Sequence, residues 1–308
     1  MRIVIIGQSA FGAKALEALS EKNETVVAVY TPPDAPGGPI DPLKEAAIGK
    51  RIPVYQPKGY KEEKVFEAYK ELQPDLTILA FVTEIIPERF FDLPSKGTIC
   101  YHPSLLPRHR GGSAISWAVI MGDTKTGVSI FWPDGGIDTG PVLLQKEVEI
   151  KPDDTTGSLY FNHLFPMGIE AIVESVELIK AGNTPEIPQD HSKATYEPLC
   201  DDKVAAIDWS KPAQEVYNLI RGCDPQPGAY ADTYEGKIRF YQAGLKPQNV
   251  REEPGRVLAI DQSGIHVAAS GAVITLGKVR PEKGGKILAT DYANTASLKI
   301  GYHLGQRK

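Results

Sequence analysis

The residues of this chain best suited to chemistry gather in two stretches. The first, Tyr101-His102-Pro103-Ser104-Leu105-Leu106-Pro107-Arg108-His109-Arg110-Gly111, follows the apolar run Gly97-Thr98-Ile99-Cys100, which reads as a short strand. The second, Pro133-Asp134-Gly135-Gly136-Ile137-Asp138-Thr139-Gly140, follows Val128-Ser129-Ile130-Phe131-Trp132, a strand by composition. Pro103 and Pro107 stiffen the first loop, and the glycines give the second its freedom to turn. In an open parallel sheet the carboxyl ends of the strands line the ligand crevice, so a histidine released there faces a cleft. A histidine and a carboxylate presented by two strand-end loops form a general acid/base pair. Each residue alone has a plainer reading, since an Asp in a Gly-rich turn often only bonds nearby backbone. The combination of His102 and Asp138 is what points to catalysis.

The run from His102 to Gly111, followed by Asp134-Gly135-Gly136-Ile137-Asp138-Thr139-Gly140, resembles the signature of the 10-formyltetrahydrofolate-dependent formyltransferase superfamily. Within it the chain is similar to the hydrolase domain of 10-formyltetrahydrofolate dehydrogenase, and next to methionyl-tRNA formyltransferase. The likeness covers nearly the whole chain, including Tyr160 to Ile169 and Arg221 to Ala229. It implies that 10-formyltetrahydrofolate is the substrate and tetrahydrofolate the product, and that His102 and Asp138 are catalytic. It further implies a folate pocket along Glu84, Ile85 and Ile86, with backbone groups binding the pterin and Asp138 at its reacting end. One position departs from the pattern. Members usually carry Asn-x-His, whereas this chain has Cys100-Tyr101-His102. A thiol is a weak hydrogen-bond donor, so the oxyanion position is altered, and the hydrolase domain of the dehydrogenase also lacks that Asn. Cys100 as a nucleophile is weighed against packing in an apolar strand, and packing is preferred. Ser104, Arg108, His109 and Arg110 have two readings: substrate contacts to a folate tail or acceptor phosphate, or residues that pin the loop to neighbouring carboxylates.

Composition sets the frame. A chain of 308 residues predicts two domains. The formal charge of −5 argues against a dedicated nucleic-acid binder without excluding a local basic strip. Cys100, Cys200 and Cys223 are widely spaced without CxxC pairing, which suits a reducing compartment. No signal-peptide layout and no membrane-length apolar run are present, so a cytoplasmic protein with no membrane partner is expected. His163, His191, His266 and His303 lack metal-ligand spacing, and no metal site is expected.

Elements that must position the pair follow in order. Arg2 to Ile6 is a buried strand, and Gly7-Gln8-Ser9-Ala10-Phe11-Gly12 turns into a helix to about Ser20. Ser9 stands where a dinucleotide fingerprint needs glycine, and no acid follows Val26 to Tyr30, so nicotinamide binding is set aside. That helix N-terminus either closes the sheet edge or meets an anionic group. Asp34 to Ile40 reads as a mobile Pro/Gly-rich rim. Helices at 41–49 and 61–72, a strand near Val54, and a buried strand from Leu76 to Phe81 continue the alternation. A helix from Ser113 to Met121, a strand from Val142 to Ile150, and a long helix capped by Asp153 to Thr156 and ending near Lys180 complete it. The fold class is therefore α/β, a doubly wound, mostly parallel sheet. Residues 1–182 form the catalytic domain, 183–206 a linker of Pro and polar residues, and 207–308 a second domain. In that second domain a helix at 211–221 precedes short strands that suggest a small β-barrel, OB-like by the resemblance.

Three functions compete. The first is hydrolysis of 10-formyltetrahydrofolate to formate and tetrahydrofolate. The resemblance implies no NADP chemistry from this chain, because the carrier and aldehyde-dehydrogenase segments of the full dehydrogenase are not in it. The second is transfer to methionyl-tRNA, or less favourably to an amino-sugar nucleotide. The third is a non-catalytic folate-binding protein with a decayed site. Oligomeric state is not read from the sequence.

Overall fold

A computed structural model describes residues 1–233, 236–296 and 298–305. Two compact units interleave along the chain. Met1–Gly112, Thr126–Val148 and Phe161–Tyr196 make the first; Ser113–Lys125, Glu149–Tyr160 and the chain from Glu197 make the second. The expected division at 182 and 206 is thus not a single linker. Residues 183–196 are built into the first unit, because their backbone groups pair with its loops, as described below.

In chain order the structure forms β1 (Arg2–Gly7), α1 (Ser9–Glu21), β2 (Thr25–Tyr30), α2 (Pro42–Gly49), β3 (Val54–Tyr55), α3 (Glu63–Glu71), β4 (Leu76–Ala80), the single turn α4 (Arg89–Asp92) and β5 (Thr98–His102). After α5 (Ala114–Ile120), a helix of the second unit, come β6 (Lys125–Phe131) and β7 (Val142–Glu149). The strands of the first unit lie in the order β3-β2-β1-β4-β5-β6-β7. β1 to β5 are all parallel where they pair, and β6 runs antiparallel to β5. β4 is Leu-Thr-Ile-Leu-Ala, wholly buried, as a parallel strand covered on both faces must be.

The strand order reverses between β1 and β4, which puts a crevice at their carboxyl ends. Close approach there demands glycine: a Cβ on Gly7 would lie 2.2 Å from the Ala80 carbonyl oxygen. The α1 amide end meets an anion supplied by the chain. Asp41 Oδ2 accepts from the Ser9 N–H (2.8 Å), while its Oδ1 accepts from the Leu43 N–H (2.8 Å) and caps α2. The Asp34 rim is likewise tied down, with Asp34 paired to Lys44 and bonded by Gln56.

The helix expected to run unbroken to Lys180 is interrupted. α6 (Thr156–Leu159), capped by the Thr155 side chain, widens into a π-helical turn at Tyr160–Leu164 before α7 (Phe165–Lys180). Pro166 has no N–H to return to the preceding turn, so the regular ladder cannot continue through it. Within the first unit, α7 packs under β5. A Cβ on Gly168 would sit 2.4 Å from the Tyr101 ring, which also stacks on Phe11 at 4.1 Å. Tyr101 thereby anchors the strand whose next residue is His102.

The second unit holds α8 (Ala213–Gly222) and β8 (Ala229–Thr233), β9 (Gly236–Pro247), β10 (Val257–Asp261), β11 (Gly264–Ala269), β12 (Ala272–Pro281) and β13 (Ile287–Leu288), then α9 (Ala289–Thr295). Its sheet is antiparallel, ordered β10-β11-β12-β9-β8 with β13 on β12. Among the described residues these pairings trace an open path. The core draws on Trp209, Ile220, Phe240, Ile265, Ile274 and Leu276. Among the described residues, no helix is long and apolar enough to cross a membrane.

Candidate active site

β5 alternates its faces, so Tyr101 turns toward α1 and α7 while Cys100 and His102 share the opposite face. His102 is buried, and its Nε2 lies 2.8 Å from the His109 carbonyl oxygen. A carbonyl only accepts, so Nε2 carries the proton and the Nδ1 edge is left for chemistry. That edge faces Asp138, with Nδ1 to Oδ2 at 3.5 Å. The same Oδ2 accepts from the Gly111 N–H at 2.7 Å. Asp138 therefore links its own loop to the end of the His102 loop. The two residues predicted from separate loops converge.

Both loops are held in unusual backbone. His109 and Asp138 each have φ of 54°, a left-handed conformation that costs a non-glycine residue about 1 kcal/mol or more. Such backbone persists only where neighbours fix it. In the second loop, Asp134 Oδ1 accepts from the Gly136 N–H (3.0 Å) and from the Thr139 hydroxyl. A Cβ on Gly140 would lie 1.8 Å from the Trp132 carbonyl oxygen, so the loop closes on β6 only with glycine there. In the first loop, Ser129 Oγ donates to the Ser104 carbonyl (2.7 Å) and accepts from the Leu106 N–H (3.1 Å).

Cys100 is half-buried and packs against Leu106, Phe131 and Val142. Burial, with the charge of Asp138 added, pushes its thiol well above the ordinary value. A thiol kept protonated is a poor nucleophile and remains a weak donor beside His102.

The other expected residues divide. Ser104 is fully buried and donates to the Arg108 carbonyl at 2.7 Å, so its hydroxyl is engaged in pinning the loop. Arg110 is buried too. Its guanidinium bonds Gln189 Oε1 (3.1 and 2.6 Å), the Tyr196 hydroxyl (2.8 Å) and His191 Nδ1 (3.2 Å). The substrate-contact reading of these two is corrected in favour of the pinning one, although Arg110's partners are neutral groups. Arg108 alone of the three is exposed.

Glu84, Ile85 and Ile86 follow β4 at the switch point. Glu84 lines a pocket with Gly7, Gln8, Thr31, Tyr60 and Phe81; burial, with the charge of Glu84 added, raises the Tyr60 hydroxyl. Ile85 is exposed, whereas the Ile86 side chain is packed in the core with Tyr60 and Phe90. Any ligand contact of Ile86 is left to its backbone. The sequence reading missed Gln8, whose Nε2 donates to Thr83 Oγ1 (3.3 Å) across that pocket, and Gln189, which lay in the supposed linker. Gln8 was signalled by its place directly after β1; Gln189 had no periodicity around it.

A buried imidazole and a carboxylate meet at the carboxyl end of β5 in an open α/β sheet, a pairing of groups that can exchange protons. The chain belongs to the formyl transferase family and is an enzyme of it: the family's Formyl transferase model matches residues 1–175, and its C-terminal domain model matches residues 201–297. It is 42% identical to the mitochondrial 10-formyltetrahydrofolate dehydrogenase of Mus musculus over 97% of this chain and 34% of that protein. The chain thus spans about a third of the length of such relatives. It is 36% identical to a methionyl-tRNA formyltransferase of Symbiobacterium thermophilum, over 98% of this chain and 94% of that one. The fold is shared with HypX from Aquifex aeolicus, solved in complex with tetrahydrofolic acid, at a TM-score of 0.70 and 19% identity over 97% of this chain and 48% of that one.

Proposed function

We propose that the chain removes the formyl group of 10-formyltetrahydrofolate by hydrolysis, releasing formate and tetrahydrofolate, with His102 and Asp138 as its catalytic residues. The observation that carries this reading is the 3.5 Å approach of His102 Nδ1 to Asp138 Oδ2 at the crevice edge. The N10-formyl group is an activated amide. Asp138 takes a proton from a water as its oxygen attacks the formyl carbon. With a second proton on Nδ1 the His102 imidazolium stabilises the resulting oxyanion, and the proton that Asp138 took from the water passes to N10 as the carbon–nitrogen bond breaks. Water is favoured as acceptor because Cys100 offers only a weak donor where the resemblance places an Asn amide. The pterin sits against the segment Glu84 to Ile86, with backbone groups of that loop as its partners, and Arg108 meets the substrate's anionic tail.

A second reading, transfer of the formyl group to methionyl-tRNA, is favoured by the near full-length match to a methionyl-tRNA formyltransferase. One experiment separates the two. The protein is incubated with 10-formyltetrahydrofolate, alone and with charged initiator tRNA, and formate, tetrahydrofolate and formyl-methionine are followed. Formate release without tRNA supports hydrolysis; turnover only with tRNA replaces it by transfer; binding without turnover in either case removes both.

A further inference from the structure

Residues 185–196 cross both catalytic loops of the first unit and bond each of them. Trp132 Nε1 donates to the Pro185 carbonyl (3.0 Å), and Ile187 exchanges backbone hydrogen bonds with Val142 (2.8 and 2.9 Å), where the Asp138 loop re-enters β7. Gln189 comes next and is buried. Its Nε2 donates to the carbonyls of Asp138 (2.9 Å) and Gly140 (2.7 Å), and its Oε1 accepts from Arg110. Farther on, Thr195 Oγ1 accepts from the His109 N–H (2.8 Å), and the Thr195 carbonyl accepts from the Arg110 N–H (3.0 Å).

These bonds fall on the two groups that face His102. The His109 carbonyl holds Nε2, and its peptide is fixed by Thr195. Asp138 faces Nδ1, and its backbone is fixed by Gln189. Both His109 and Asp138 are in left-handed backbone, which relaxes unless restrained. We infer that Gln189 and Thr195 are positioning residues, which set the orientation of His102 and Asp138 by bonding the backbone of the two loops that carry them. The inference rests on the acid/base reading of that pair. A side-chain amide suits the place of Gln189 because it must donate twice toward carbonyls and accept from a guanidinium at once; among polar side chains of that length, only an amide does both.

The test uses the full chain with Gln189→Met, which keeps length and loses every hydrogen bond, and Thr195→Val, which keeps shape and loses the acceptor. The expected result is a retained fold by circular dichroism, a KM for 10-formyltetrahydrofolate within about threefold, and a kcat reduced about 10- to 100-fold, the scale of a misplacement near 1 Å. Combined with Asp138→Asn, Gln189→Met is expected to cost no further rate, because the two act through one group. Full kcat in both single variants, or independent, multiplying losses in the double, overturns the inference. If Gln189→Met does not fold, Gln189→Glu decides: it keeps the Arg110 acceptor but places oxygen against two carbonyls, so an unchanged kcat again overturns it. Histidine side-chain nitrogen NMR separates this from the function itself. A changed His102 signal in Gln189→Met supports positioning even if the wild type turns over no formyl folate, and an unchanged one refutes it.

Discussion

Replacing Asp138 by Asn removes a charge and a base while changing almost no shape. Asp138 Oδ2 is the atom that accepts from the Gly111 N–H at 2.7 Å and faces His102 Nδ1 at 3.5 Å. The amide oxygen of Asn fits that place and keeps both contacts, with the Gly111 bond weakened from charge-assisted to neutral. That weakening is worth about 1 kcal/mol, so the variant folds with a slightly lowered midpoint. What Asn cannot do is take a proton from water. Loss of one general acid/base group typically costs 10² to 10⁴ in rate, or about 3–5 kcal/mol of transition-state stabilisation. The expected outcome is a kcat lowered by at least about 10² with KM changed no more than about threefold, since folate binding does not depend on the carboxylate's basicity. Steady-state assays following tetrahydrofolate and formate together read both constants. A variant within about tenfold of wild-type kcat refutes the reasoning.

Other substitutions test neighbouring steps. Cys100→Ala is expected to keep turnover within a few-fold, and iodoacetamide at pH 8 to modify Cys100 only slowly, because burial and the Asp138 charge hold the thiol protonated. Rapid alkylation with loss of activity contradicts this. Gly7→Ala forces a Cβ to 2.2 Å from the Ala80 carbonyl oxygen and is expected to destabilise the chain by about 1–3 kcal/mol in urea unfolding. Arg239 and Lys237 hold the Asp202 carboxyl well below the usual carboxylate range. Its stabilising contribution is therefore present at neutral pH and fades as the pH falls below about 4, through the folded-state value. Because this carboxylate is half exposed, Asp202→Asn is expected to lower stability by about 1 kcal/mol or less at pH 7, with the difference shrinking in acid.

Much of this was legible in the residues themselves. The parallel strands announced themselves as apolar runs such as Leu76 to Ala80, and the pair His102 and Asp138 stood at strand ends beside proline and glycine. The pairing partners were not legible. Nothing near Gln189 in sequence signals that its amide joins two loops, because its bonds reach Arg110, 79 residues away, and Asp138, 51 away. The same holds for Asp41, whose carboxylate caps α2 locally yet also reaches Ser9, and for Arg110, whose burial against Gln189 and Tyr196 depends on residues 79 and 86 positions on. The break in the long helix was not read from the sequence, because the apolar pattern runs on through Pro166 and the π turn depends on how the ladder re-forms ahead of it. The short elements β13 and α9 were too brief for any period to show.

The measurement that bears most directly on the account is a crystal structure of the chain with a hydrolysis-resistant 10-formyl folate analogue. The pterin is expected against the loop after β4 and the formyl carbon between His102 Nδ1 and Asp138, within about 3–4 Å of both side chains or of one water they share. A formyl group seated away from that pair, with the two side chains turned from it, rules out His102 and Asp138 as the groups that act on it.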